Sequence, residues 1–329
     1  MKAALAQLFR HEPLEEEQAE KILMSILEGT LAPASVASFL TVYNMRPPTQ
    51  PEFKGFVNAM KQCSRPINLQ TENAVDIVGT GGDGKNTFNI STLSAVVVAA
   101  AGTKVIKHGN YSASSTCGSS NVLEYLGYKF TSDEAELNRQ LENENICFLH
   151  APLFHPLMAK VKQVRSDIGL QTIFNLLGPL VNPAAPPNLV LGISQHVYLK
   201  KFEFLLQELD KNYLLLHSMD GYDEISLTGN FKIISPQQTQ LLYPEAIGFK
   251  TLQPEQLEVG DSIASAAKIF SAVLNNEATK AQKDVVIVNS AFALQCCNPT
   301  KSLEECITLV GEALANGKAL QIFKKLINA

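Results

Sequence analysis

Residues 76–92 read Asp76-Ile77-Val78-Gly79-Thr80-Gly81-Gly82-Asp83-Gly84-Lys85-Asn86-Thr87-Phe88-Asn89-Ile90-Ser91-Thr92, and this stretch decides the fold. It completes a short apolar strand, Ala74 to Val78, and runs into an apolar helix over Leu93 to Ala101. Ser91 or Thr92 is placed to cap that helix and Gly102 to end it. A second strand, Val105 to Lys107, follows. Strand, loop, helix and strand in that order predict a parallel pair joined by a right-handed crossover. Four glycines in the loop leave the main chain bare, so its amides can approach an anion closely. The free N–H groups and positive dipole end of the next helix strengthen that attraction. The segment is a phosphate cradle.

Two nucleotide motifs nearly fit. Gly79-x-Gly81-x-x-Gly84 has dinucleotide spacing, but that motif opens its helix at the third glycine and places an acid about 20 residues on. Here the loop runs to Asn89 and the second strand ends in Lys107-His108. Gly79 to Lys85 imitates a P-loop, yet Asn86 stands where a magnesium-binding hydroxyl is required. Both readings are rejected. The second loop, from Lys107 to Ser120, is rich in hydroxyls, with two glycines and one lysine. Adjacent parallel strands put their carboxyl ends side by side, where α/β sheets bind ligands, so the two loops form one site.

Outward from this unit the alternation continues. Asn121 with Glu124 reads as a capping box for a helix ending at Gly127, and Thr131 with Glu134 opens another. Ile146 to His150, Leu189 to Ile193 and Tyr213 to His217 are predicted strands, with a helix over Tyr198 to Leu209 and hairpins near Phe231 to Ile234. The C-terminal part is helical from Ile263, through Ala281 to Leu294 and Leu303 to Leu314. Before residue 70 only helices are read: Leu14 to Glu28, Val36 to Tyr43 and Phe53 to Lys61. The fold class is α/β, a mainly parallel central sheet flanked by helices, plus a small all-helical domain. The boundaries fall at 1–70 for the helical domain and 71–329 for the α/β domain.

With 329 residues, 46% hydrophobic and 18% charged, the chain can bury a full core and is not disordered. Its 27 basic against 32 acidic residues, net −5, argue against a non-specific nucleic-acid binder. No apolar run approaches a membrane span; the longest is Ala95 to Ala101. The first residues turn acidic and polar before a hydrophobic region forms, so no signal peptide is read. Six cysteines without a CxxC pair are read as reduced thiols of a cytosolic protein. His150 and His155, beside Pro152 and Pro156, lack the spacing of a helical metal pair and are read as packing or channel lining.

Three acids, Asp220, Asp223 and Glu224, follow the strand Tyr213 to His217. A chain with two phosphate loops needs a counter-cation, and magnesium takes oxygen ligands from one or two carboxylates plus substrate phosphates. Asp223 and Glu224 are the natural pair.

Together these pieces resemble the anthranilate phosphoribosyltransferases, the tryptophan-pathway branch of a family shared with pyrimidine nucleoside phosphorylases. The resemblance spans nearly the whole chain. It rests on DIVGTGGDG and TFNIST from Asp76, KHGN from Lys107, HP at His155, VR at Val164 with TIFNLLGPL and NP beyond it, DG and DEISLTG from Asp220, and the closing SLEE and GKAL segments. It implies transfer of a phosphoribosyl group from phosphoribosyl pyrophosphate to anthranilate, with pyrophosphate released and no covalent nucleophile. Carried over residue by residue, it assigns the donor to Gly79, Gly82, Asp83, Thr87, Asn89, Ile90, Ser91 and Thr92. The second loop joins them with Lys107, His108, Gly109, Asn110, Tyr111, Ser112, Ala113, Ser114, Ser115 and Ser119. Gly79, His108, Asn110 and Arg165 would bind anthranilate, and Ser91, Asp223 and Glu224 would hold magnesium, two ions per subunit. It also implies a cytoplasmic homodimer formed through the helical domain, and a return of about residues 165–185 to that domain.

The chain departs from the family pattern in the second loop. Tyr111 replaces an arginine, Thr116 a lysine and Cys117 a serine, and Gln171 stands where arginine is frequent. Two readings compete with the transferase: a pyrimidine nucleoside phosphorylase, with phosphate as nucleophile, and a non-catalytic nucleic-acid-binding relative.

Overall fold

Four amphipathic helices open the chain: α1 (Lys2–Phe9), α2 (Glu16–Leu27), α3 (Pro33–Met45) and α4 (Gln50–Gln62). Helix α1 was not anticipated; it is only two turns long and carries one fully buried side chain, Leu8. Helices α2 and α4 pack so closely that a Cβ on Gly55 would meet the Glu16 carbonyl. The computed structural model describes residues 1–112, 116–209 and 211–328.

Beyond residue 74 strands and helices alternate: β1 (Val75–Gly79), α5 (Ile90–Ala100), β2 (Val105–Gly109), α6 (Ser119–Tyr125), α7 (Glu134–Asn143), β3 (Ile146–His150), α8 (Ala151–Phe154), α9 (Lys162–Ile168), α10 (Ile173–Leu177), β4 (Asn188–Gly192), α11 (Leu199–Glu208) and β5 (Asn212–Ser218). A hairpin, β6 (Phe231–Ile234) and β7 (Thr239–Leu242), precedes the helices α12 (Ile263–Leu274), α13 (Lys280–Cys297), α14 (Leu303–Ala315) and α15 (Lys318–Ile327). The last helix was also unforeseen.

The strands form one sheet in the order β3-β2-β1-β4-β5-β6-β7, parallel from β3 to β5 and antiparallel beyond. Side chains alternate between its two faces. Val190, Leu214 and Leu216 enter the layer containing α5, α12, α13, α14 and α15. Leu189, Leu191, Tyr213 and Leu215 enter the other layer, which includes the four N-terminal helices and α10. The chain builds β2 and β3 on one side of β1 and then returns to lay β4 on the other. The topological switch therefore lies between β1 and β4, where open α/β sheets form a ligand crevice at their strand ends.

Three helix starts differ from the sequence expectation. Asn89 precedes α5, so Ser91 and Thr92 lie inside its first turn. Helix α6 starts after Gly118, and Asn121 accepts from the Gly118 amide at 3.0 Å instead of serving as the cap. Asp133 caps α7 by accepting from Ala135 and Glu136. Thr131 Oγ1 instead accepts from Asp133 N, two residues too early to be the cap.

Candidate active site

A cavity of about 320 Å³ opens at the carboxyl ends of β1 and β2. Of the residues singled out from sequence, Gly79, Gly82, Asp83, Thr87, Asn89, Ser91, Thr92, Lys107, His108, Gly109, Asn110, Tyr111, Ser112, Ser119, Arg165, Asp223 and Glu224 all line it. Ile90 does not. Its side chain is fully buried in the core under α5, leaving only its backbone at the start of that helix. Ala113, Ser114 and Ser115 lie outside the described residues.

The glycine loop reaches the cavity through left-handed backbone at Gly81, Gly82 and Gly84, with φ of +65°, +69° and +71°. Its far end is fixed by pairing with the 257–259 segment: Phe88 N donates to Leu257 O at 3.3 Å and Val259 N to Asn86 O at 3.2 Å. Gly79 serves close approach instead of an unusual φ. A Cβ there would run into the Asp223 carboxylate, and one on Gly192, at the end of β4, would run into the Asp223 carbonyl. Gly192 was missed from the sequence; its signal is a glycine closing an otherwise apolar strand. Asp223 thus sits in the β1/β4 switch point, with Oδ2 accepting from Gly81 N at 2.7 Å.

Asp223, Glu224 and Asp83 bring carboxylate oxygens within 4.8 Å of one another. Asp83 is the unanticipated third member. Asp83 Oδ2 and Glu224 Oε2 are buried without a hydrogen-bond partner. Burial, and then the neighbouring Asp83 charge, push Asp223 up to about 6. Burial with the Asp223 charge raises Glu224 well above the usual carboxylate range, and burial also raises Asp83. Orphaned acceptors crowded this way are unfavourable until a cation joins them. The donor set is all oxygen, which suits a hard divalent cation such as magnesium. Lys107 is buried and its ammonium donates to the Ile77 carbonyl. It supplies positive charge beneath the acids although burial lowers its pKa.

The opposite wall comes from the 155–181 segment. Arg165 donates to Asn175 Oδ1 at 3.2 Å and lies 5.5 Å from the Phe174 ring centre. It has no carboxylate partner among the described residues. The surface salt bridge that a helical arginine would normally make is not formed. His108 Nδ1 pairs with Gly178 O at 3.3 Å and His155 Nε2 with Val181 O at 3.0 Å, the rings 5.2 Å apart. Burial holds their pKa values down, to about 3 and about 4, so both are neutral near pH 7. Met158, Phe174 and Pro179 extend this wall. One side of the cavity therefore offers amides and acids, and the other offers neutral rings and a guanidinium with no carboxylate partner among the described residues.

Comparison with known proteins agrees with this arrangement. The family described as glycosyl transferase family, a/b domain matches residues 71–320, and the glycosyl transferase family, helical bundle domain matches residues 2–64. An anthranilate phosphoribosyltransferase from Cytophaga hutchinsonii is 46% identical over 327 residues, covering 99% of this chain and all of that protein. A crystal structure of the enzyme of that name from Thermus thermophilus superposes with a TM-score of 0.91 at 33% identity, covering 99% of this chain and 98% of the other. One from Saccharomyces cerevisiae, in complex with phosphoribosyl pyrophosphate and magnesium, shares the fold with a TM-score of 0.92 at 24% identity, covering 99% and 96%. The chain belongs to the glycosyl transferase family, in its anthranilate phosphoribosyltransferase branch.

Proposed function

We propose that the cavity transfers the phosphoribosyl group of phosphoribosyl pyrophosphate to the amine of anthranilate, releasing pyrophosphate, as a step of tryptophan biosynthesis. The observation that carries this reading is the pairing of an acid cluster and bare amides on one wall with the Arg165 fork, which has no carboxylate partner among the described residues, on the other. The first wall suits a polyphosphate with its cation. The second suits a planar aromatic carboxylate, which a guanidinium can bind in bidentate fashion.

In this assignment Gly79, Gly82, Asp83, Thr87, Asn89, Ser91 and Thr92 hold the donor with the second loop, and Asn110, His108 and Arg165 hold anthranilate. Ser91, Asp223 and Glu224, joined by Asp83, would hold two magnesium ions, whose charge offsets that of the departing pyrophosphate. The protein's own contribution is positional and electrostatic. The amides at the start of α5 would meet the leaving oxygens, and the Lys107 ammonium, held on the Ile77 carbonyl, adds positive charge beneath them. Arg165 fixes the acceptor by its carboxylate, and the neutral rings of His108 and His155 keep water from the aromatic face. The acceptor amine is uncharged at pH 7, so its lone pair is free to form the new bond as the old one breaks.

The six cysteines are free, and no helix among the described residues is long and apolar enough to cross a membrane. Unpaired thiols fit a reducing compartment, and we assign the protein to the cytoplasm. A homodimer would cover Phe9 and Met45, 62% and 80% exposed on the N-terminal helices. The segment from Val164 to Val181 packs in the same core as those helices, which supports a discontinuous helical domain over about 1–70 and 165–185.

The test is loss of anthranilate fluorescence on adding donor and magnesium. Wild-type protein consumes anthranilate and Asp223→Asn does not. Consumption unchanged in the variant removes the metal assignment. Release of base from thymidine and phosphate, with no consumption of anthranilate, replaces the reading by a nucleoside phosphorylase.

A further inference from the structure

Tyr111 lies in the second loop, and the structure gives this residue three fixed relationships. Its hydroxyl donates to Glu124 Oε1, on α6, at 2.8 Å. Its ring meets the His150 ring edge-on, with centres 4.7 Å apart and planes at 77°. Its own amide donates to Asn110 Oδ1 at 2.8 Å. His150 is itself held rigid at the end of β3: it is buried, its Nδ1 pairs with Ser120 Oγ at 2.8 Å, and Phe130 stacks on it at 4.6 Å. Tyr111 therefore ties a cavity-lining loop to a helix and a strand that do not depend on the ligand.

We propose that Tyr111 is a positioning residue that presents the second loop to the phosphoribosyl donor by latching onto the Glu124 carboxylate and the His150 ring. A cation at this position would attract phosphate directly. A phenol hydrogen-bonded to a carboxylate adds no charge. The latch fixes the backbone at Tyr111, next to the cavity-lining residues Asn110 and Ser112. Pre-ordering raises affinity by removing the entropy lost when a segment is immobilised on binding its ligand. The proposal rests on the donor assignment above.

The test uses full-length Tyr111→Phe, Tyr111→Ala, Glu124→Ala, Glu124→Gln and the double variant Tyr111→Phe/Glu124→Ala. Two readouts are taken: hydrogen exchange of the amides of residues 110–112 and 116–119 in ligand-free protein, and kinetics with phosphoribosyl pyrophosphate and magnesium. The expected pattern is faster exchange in Tyr111→Phe and Glu124→Ala, with donor KM raised about 3–10-fold, kcat within about twofold and anthranilate KM unchanged. Tyr111→Ala, which also loses the ring contact, exceeds both. Glu124→Gln restores the wild-type values, because its amide oxygen still accepts. The double variant is no worse than either single one, as expected for two halves of one interaction. Additive effects in the double variant would show that Tyr111 touches the donor independently, and overturn the latch. Unchanged loop exchange in Tyr111→Ala also overturns it. If wild-type protein consumes no anthranilate the functional reading fails, while the exchange data still decide whether the latch exists.

Discussion

Gly79 and Asp223 meet across the switch point of the sheet: the aspartate carboxylate occupies the space that a Cβ on the glycine would take. Gly79 closes β1, whereas Asp223 follows β5, two strands away in the sheet and 144 residues on in the chain. The contact holds an acid against bare main chain, so the glycine loop and the carboxylate cluster share one geometry.

Gly79→Ala is expected to displace that carboxylate and lower magnesium affinity, read by calorimetry. Overpacking at such a site costs about 1–3 kcal/mol of stability. Gly192→Ala should cost more than Gly79→Ala, because it meets the Asp223 backbone carbonyl and a side chain moves more easily than backbone. Equal melting temperatures for both variants and wild type would remove this account.

Asp223 gives a pH dependence of defined sign. Its pKa is raised from the ordinary 3.8 to about 6 in the folded protein, so its contribution is fully present below about pH 4 and lost as pH rises through 6. The shift corresponds to a penalty on the order of 3 kcal/mol at pH 8 in metal-free protein. The buried neutral His108 and His155 act oppositely, costing stability in acid, so wild type alone would show a muted trend. The stability difference between Asp223→Asn and wild type reports this carboxylate together with Asp83 and Glu224, whose charges it feels. The variant gains on wild type between pH 5 and pH 8 without metal, and magnesium erases the gain at pH 8. A constant difference across that range sinks the prediction.

Arg165→Gln should raise anthranilate KM by about 10–100-fold, the worth of a charge-assisted pair, with donor KM unchanged. Arg165→Lys recovers only part, because an ammonium cannot present the planar fork. Neither change should lower the melting temperature, since Arg165 is desolvated without a carboxylate partner among the described residues. A stability loss as large as the binding loss would reassign it to structure.

In the helical part Glu52 is fully buried and held by Arg46 at 2.7 Å, Leu14 N at 3.0 Å and the Tyr43 hydroxyl at 3.1 Å. Arg46→Met strands that charge and should destabilise the fold by about 3–5 kcal/mol in urea titration. Substrate KM values of the folded variant stay at wild-type levels, because none of these residues lines the cavity.

The sequence alone determined the parallel α/β unit around residues 76–107, because strand, glycine loop and capped helix are local patterns written in adjacent residues. The family resemblance carried by those motifs named the cavity residues of the two phosphate loops, with Arg165, Asp223 and Glu224, but not the apolar wall of Met158, Phe174 and Pro179. Periodicity did not reveal α1 or α15, and placed three caps two or three residues away from their positions, because end residues are chosen by nearby hydrogen bonds. Tertiary structure alone decided the rest. Only the sheet order brings Asp83 beside Asp223 and Glu224, sends the Ile90 side chain into the core, and makes Gly192 a seat for the Asp223 backbone. Those facts concern distances between residues far apart in the chain, and such distances follow from which strands pair and which faces are buried.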